Sequence, residues 1–326
     1  MTLKKISLTF ALLFIFIFPL RAQEKTFPLN VDVIFSPCFC NERVYIFSRN
    51  GGYQTLSLGD NSLNFNLFSL NPLVQPLCLQ NKVFVANKDG NFYFLSEEEI
   101  KPDGSFTEKI IGVHTFKEKL FIIYENSVKE FDGFEIELPF NATSSFTTEK
   151  AIFLSGKNEF AFFKGDKDLK IFPFLSGEIK GAVLLGKGFA VCDEKTIFFL
   201  NKNGKAIKKF KVKADIVSLL SVDEDKVAVA SSDHFIRLFD RKGTVVWQYR
   251  LDGVPLNLIK IKRGLLTGTK GGNSLVLIDP KKGTELWIHK PKEGEIFSLI
   301  SSDSKAFYYT LKENLEWVLN IVAIPQ

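Results

Sequence analysis

Residues 275–290 read "LVLIDPKKGTELWIHK", and residues 236–250 read "IRLFDRKGTVVWQYR". Both run from an apolar segment through an Asp and a basic turn to a Gly, with a Trp four residues after that Gly. Short apolar runs between clusters of Asp, Lys and Gly have the pattern of strands joined by turns. The two copies start 39 residues apart. Self-similarity at a fixed spacing of this size marks a repeat architecture.

The simplest element to follow along the chain is a short apolar strand opened by a basic residue. It occurs as "RVYIFSR" (43–49), "KVFVAN" (82–87), "KLFIIY" (119–124), "KAIFLS" (150–155), "KGFAVC" (187–192), "KVAVAS" (226–231), "RGLLTG" (263–268) and "KAFYYT" (305–310). The steps between starts run from 31 to 42 residues. An apolar strand precedes each copy, a polar turn and a third strand follow it, and a Gly-containing turn leads to a fourth. Four short turn-linked strands per unit predict an all-β chain of four-stranded antiparallel sheets.

Many of these strands are apolar at nearly every position, so each sheet has two faces to hide. Radial stacking buries each face against the next unit, and closing the ring removes the open ends. The sequence therefore predicts a β-propeller over residues 23–326 with eight blades, seven being the alternative because the middle copies are compressed. The last copy has three strands, near 296–301, 305–310 and 315–324. The segment "EKTFPLN" (24–30) is spare at the other end, and it is expected to complete the last blade and latch the ring.

The two opening stretches resemble the repeat of PQQ-like and WD40-like propellers. Asp240, Gly243 and Trp247 in one copy match Asp279, Gly283 and Trp287 in the other, and "IFFLNKNGKAIKKFKV" (197–212) is a degenerate third. The resemblance implies structural roles. The Asp caps the turn, the Gly takes a positive φ and the Trp wedges between blades. The layout also resembles the exported propeller scaffold subunit of the outer-membrane β-barrel assembly machine. This chain is shorter and lacks that family's lipoprotein cysteine after the leader.

The first residues form a separate unit. Lys4 and Lys5 precede the apolar run "ISLTFALLFIFIFPL" (6–20), and Leu20 and Ala22 stand at −3 and −1 of a cut after Ala22. That is the layout of a secretory signal peptide over residues 1–22. The run is shorter than the roughly 20 residues of a spanning helix. An uncleaved N-terminal anchor is the alternative, and no later run approaches spanning length. The leader takes three of the 42 basic residues with it, leaving a near balance with the 37 acidic ones. Charges of both signs are interleaved, which argues against nucleic acid as a partner.

Export makes disulfides chemically permissible. Cys38 and Cys40 share one strand face and do not bridge each other, whereas Cys78 lies one repeat later. A bond from Cys38 or Cys40 to Cys78 is open, with Cys40–Cys78 the candidate pair. Buried free thiols are the alternative, and Cys192 reads that way.

Catalytic signatures are missing from the sequence: it has no G-x-S-x-G, P-loop or G-x-G-x-x-G. His114, His234 and His289 fall in different repeats, without a second His at zinc-ligand spacing. The acidic stretches at 96–104, 165–170 and 223–226 lack the ladder of a calcium loop. No catalytic residue, cofactor or metal is therefore predicted. The expected function is a non-catalytic, exported scaffold of the bacterial cell envelope that binds a protein or peptide partner. Its candidate loop is "SEEEIKPDGS" (96–105). The alternative is an enzyme or a small-ligand or glycan binder using the central channel, with His114 and Asp215 as its candidate residues.

Overall fold

The computed structural model describes residues 24–29, 31–66, 68, 70–96, 99–174 and 178–325. The expected signal peptide lies outside them. Every regular element among the described residues is a strand, and the strands make eight antiparallel sheets. Blade 1 comprises Cys38–Cys40, Arg43–Phe47, Tyr53–Ser57 and Leu63–Asn66. Blade 2 comprises Leu77–Leu79, Lys82–Ala86, Asn91–Leu95 and Ile100–Ser105. Blade 3 comprises Ile110–Phe116, Lys119–Tyr124, Ser127–Glu130 and Glu135–Glu137. Blade 4 comprises Ser144–Thr147, Ile152–Ser155, Glu159–Phe163 and Lys170–Pro173. Blade 5 comprises Gly181–Leu185, Gly188–Cys192, Thr196–Asn201 and Ala206–Lys211. Blade 6 comprises Ile216–Ser221, Lys226–Ser231, Phe235–Asp240 and Val245–Arg250.

Blade 7 has a broken first strand, Val254–Pro255 then Ile259–Ile261, followed by Gly264–Lys270, Leu275–Ile278 and Glu285–His289. Blade 8 takes Glu295–Ser301, Lys305–Leu311 and Trp317–Ala323 from the C-terminal end and Glu24–Leu29 from the N-terminal end. Glu24 pairs with Val322 and Leu29 with Trp317, antiparallel throughout. The expected latch is thus present, and the blades number eight.

Burial explains why the second strands are so apolar. In Lys226–Ser231, Val227 and Val229 pack into the seam with blade 5, while Ala228 and Ala230 pack into the seam with blade 7. Side chains along a strand alternate between faces, so a strand with a neighbour on each side carries apolar residues at successive positions. The core is accordingly divided into eight apolar clusters, one at each seam between adjacent blades. The cluster of Leu29, Phe307 and Tyr309 with Val33, Val44 and Ile46 joins blade 8 to blade 1 and closes the ring.

One expectation needs correction. Within "SEEEIKPDGS", Ile100–Ser105 is not a loop but the outermost strand of blade 2, paired with Asn91–Leu95. The outermost strand faces water, so polar composition there does not exclude a strand. Residues 97 and 98 lie outside the described part.

Candidate functional site

The repeat motif builds the seams. Asp240 Oδ1 accepts the backbone N–H groups of Lys242 (2.9 Å) and Thr244 (2.8 Å). Asp279 Oδ1 accepts those of Lys281 (2.7 Å) and Lys282 (3.1 Å), which hold its carboxyl below the usual range. Gly243 and Gly283 have φ of 80° and 69°. The Gly283 turn of blade 7 lies flat on the Trp247 indole of blade 6, where a Cβ would fall 2.6 Å from the ring. Trp247 Nε1 also donates to the Pro280 carbonyl (3.1 Å). Trp287 packs into the seam between blades 7 and 8.

In the degenerate copy Phe210 takes the part of the Trp. Its ring meets that of Phe239 of blade 6 at a tilt, centroids 4.8 Å apart, and would meet a Cβ on Gly243 at 2.9 Å. It stands six residues after Gly204, on the same strand face as the missing Trp position, so a search for Trp alone overlooks it.

Two surfaces remain for function. The first is the outer rim. Among the described residues, each outermost strand has one edge without a strand partner. Ile171, Ile207, Val245, Val246, Leu286 and Ile288 leave more than two fifths of their surface exposed on the outermost strands of blades 4 to 7, and Phe65 does so on that of blade 1.

The second surface is the central channel, lined by the innermost strands. A polar girdle runs along it from blade to blade. Ser298 Oγ donates to Ser36 Oγ at 2.7 Å. Gln75 accepts from Ser36 N at 3.0 Å and donates to its carbonyl at 3.1 Å. Leu258 N donates to Ser218 Oγ at 3.2 Å. Asn257 Nδ2 reaches the Leu299 carbonyl at 3.4 Å. None of these residues was singled out from the sequence. Their only signal is a small polar residue a few positions ahead of each second strand, indistinguishable there from surface Ser and Asn.

His114 belongs to this girdle, with Nε2 2.8 Å from Ser145 Oγ of blade 4. Burial pushes its imidazole down to about 4, so it is neutral at pH 7. Asp215 does not join it. Its side chain is exposed and pairs with Lys195 of blade 5 at 3.4 Å. His114 and Asp215, the candidates of the alternative channel reading, serve separate contacts between blades.

Cys40 and Cys78, in the innermost strands of blades 1 and 2, are joined by a disulfide with Cα atoms 5.3 Å apart. Cys38 and Cys192 are free and buried, and burial pushes both thiols up to about 12. Among the described residues no group of three or more His, Cys, Asp or Glu is placed to hold a metal ion.

The channel has two hollows. One, of about 520 Å³, opens between blades 4 and 7, with Phe146, Leu184, Val217 and Leu219 on its wall and Lys150 and Glu224 at its rim. The other, of about 430 Å³, lies where blades 7, 8 and 1 meet.

Eight four-stranded blades, a latched ring and a polar-girdled channel define an eight-bladed β-propeller. Solved structures share this fold. Sqt1 of Saccharomyces cerevisiae matches with a TM-score of 0.67 at 12% identity, over 92% of this chain and 98% of that one. BamB from Moraxella catarrhalis matches with a TM-score of 0.64 at 10% identity, over 94% and 98%. BBS1N, solved in complex with ARL6DN, matches with a TM-score of 0.59 at 10% identity, over 94% and 97%. No family model and no curated protein matches the sequence.

Proposed function

We propose that this protein is a non-catalytic, exported β-propeller that holds a protein partner in the bacterial cell envelope. The observation that carries the reading is the set of exposed apolar side chains on outermost strands that have a free edge, most of them on blades 4 to 7. A free strand edge admits a partner strand by backbone hydrogen bonding, and exposed apolar side chains on that strand give the added strand something to pack against. The channel residues that looked most like chemistry, His114 and Asp215, are engaged separately in contacts between blades. BBS1N, a propeller of similar fold, was solved holding a protein partner.

Export rests on the leader-like N-terminus and is supported by the Cys40–Cys78 bond, because disulfides persist in oxidising compartments. The test places a photo-crosslinking side chain at Val246 or Ile288 in living cells, with Glu149 at the channel rim as the control. A discrete protein adduct from the two edge positions and none from the control is expected. Adducts from the control alone, or none at all, would reject the outer rim as the binding surface.

A further inference from the structure

Charge is unevenly spread around the ring. Between residues 179 and 213, in blade 5, stand nine Lys and two acidic residues, Asp193 and Glu194. Blades 1 to 3, over residues 31–140, carry nine basic and fifteen acidic residues. Six of the blade 5 lysines, at positions 202, 205, 208, 209, 211 and 213, fall on its outermost strand and the segments that flank it, with no acid among them. All six are exposed, and among the described residues none of them pairs with a carboxylate. The turn adds to the imbalance. Where blades 6 and 7 place Asp240 and Asp279, blade 5 has Asn201, which accepts the backbone N–H groups of Asn203 and Lys205 without bringing a charge.

The outermost strand, Ala206–Lys211, pairs along one edge with Thr196–Asn201, and its other edge has no strand partner among the described residues. Lys209 and Lys211 stand opposite Phe198 and Thr196, on the face toward blade 4. Lys208 shares the other face with Phe210, beside the Gly243 turn of blade 6. Ile207, the extra residue of a bulge, is 56% exposed between them. The free edges of blades 2, 4 and 8 are blunted by Pro102, Pro173 and Pro28, which have no N–H to offer. Ala206–Lys211 has no proline, and no other outermost strand among the described residues carries more than one Lys or Arg.

Lysines on an edge repel a strand of like charge, so they keep two copies of this strand apart. A strand that bears carboxylates turns the same charges into attraction. Its register is fixed as well. Residues i and i+2 share a face, so acids at alternate positions meet Lys209 and Lys211 together. A flat anionic lipid surface would meet only part of the strip, because the lysines stand on both faces of one strand. We propose, resting on the reading of the outer rim as the binding surface, that the free edge of blade 5 selects an acidic β-strand of the protein partner, with carboxylates at alternate positions, and adds it to the sheet.

Fluorescence-anisotropy titration of the purified protein tests it, with the labelled, end-capped peptide TVEVEVT as the probe and TVKVKVT as the comparison. The acidic peptide should bind saturably, at least about tenfold tighter than the basic one. Two acidic peptides N-methylated at alternate residues probe the backbone, and the one whose methyl groups face the edge should bind at least about tenfold more weakly. Lys209→Glu combined with Lys211→Glu should reverse the preference, and its gain of the basic peptide shows at the same time that the variant is folded. No saturable binding of the acidic peptide, or equal binding of the two peptides, would overturn the proposal. So would full binding of both methylated peptides, which rules out strand addition. Phosphatidylglycerol vesicles or a single-stranded oligonucleotide bound as tightly as the acidic peptide would make the strip a general polyanion surface and overturn it too. A double variant that keeps its preference for the acidic peptide would do the same. If Val246 or Ile288 captures a protein while the acidic peptide fails, the rim still holds a partner and only the acidic strand is overturned.

Discussion

The seam between blades 6 and 7 and the blade that closes the ring are built from different materials. The first is written locally. Trp247, the Asp279 turn and Gly283 meet across a separation of about one repeat, and the Tyr249 hydroxyl adds a 2.5 Å bond to Glu285. Blade 8, which closes the ring, is assembled differently. Its strand Glu24–Leu29 arrives from the opposite end of the chain and pairs with Trp317–Ala323. Glu24 Oε1 accepts the Tyr308 hydroxyl at 2.6 Å, and His289 Nε2 stands 3.1 Å from that same hydroxyl. Burial, and then the bond to Glu24, push the Tyr308 phenol up. A repeat seam can be weakened and still be held by its neighbours in the ring. The pairing inside blade 8 guards the place where the two ends of the chain meet.

That contrast can be broken by experiment. Deleting residues 24–29 is expected to have the largest effect. It removes buried Leu29 and bares one edge of Trp317–Ala323, so the loss should reach about 5 kcal/mol, comparable with the whole stability of many domains. Chemical denaturation would show it as a lost or early transition. An unchanged midpoint would mean that the ring does not depend on its latch.

Trp247→Ala strikes the repeat seam instead. Losing a half-buried indole and its bond to Pro280 should cost about 3 kcal/mol, with the transition still cooperative. If this variant lost more than the deletion, the ranking of the repeat seam and the closing blade would be reversed.

Tyr308→Phe sharpens the comparison with a single atom. It leaves the buried Glu24 carboxylate short of a donor and should lower stability by about 2 kcal/mol in a thermal or denaturant melt. In the deletion background, where Glu24 is absent, the same substitution should cost much less. Equal costs in both backgrounds would show that the hydroxyl acts elsewhere than at the latch.

The repeat was legible because each blade solves the same local problem with the same residue types. The eight copies of the second strand, opening at positions 43 to 305, mark the eight blades. The spare segment at the front and the missing strand at the back together implied the closure. The polar girdle was not legible, since Ser36, Gln75, Ser218 and Asn257 look like surface residues until the innermost strands are placed around an axis. His114 and Asp215 were drawn together by residue type, and the fold put them on different partners.

The sequence by itself favoured eight blades over seven and determined the strand order within a blade and the terminus that latches the ring. Hydrophobic period and turn chemistry act over a few residues, and they repeat. Only the tertiary structure decided which residues form the polar girdle and how Glu24, His289 and Tyr308 come together. Glu24 and Tyr308 lie 284 residues apart along the chain. No local pattern encodes such a meeting, because it follows from the angle at which eight sheets close on one another.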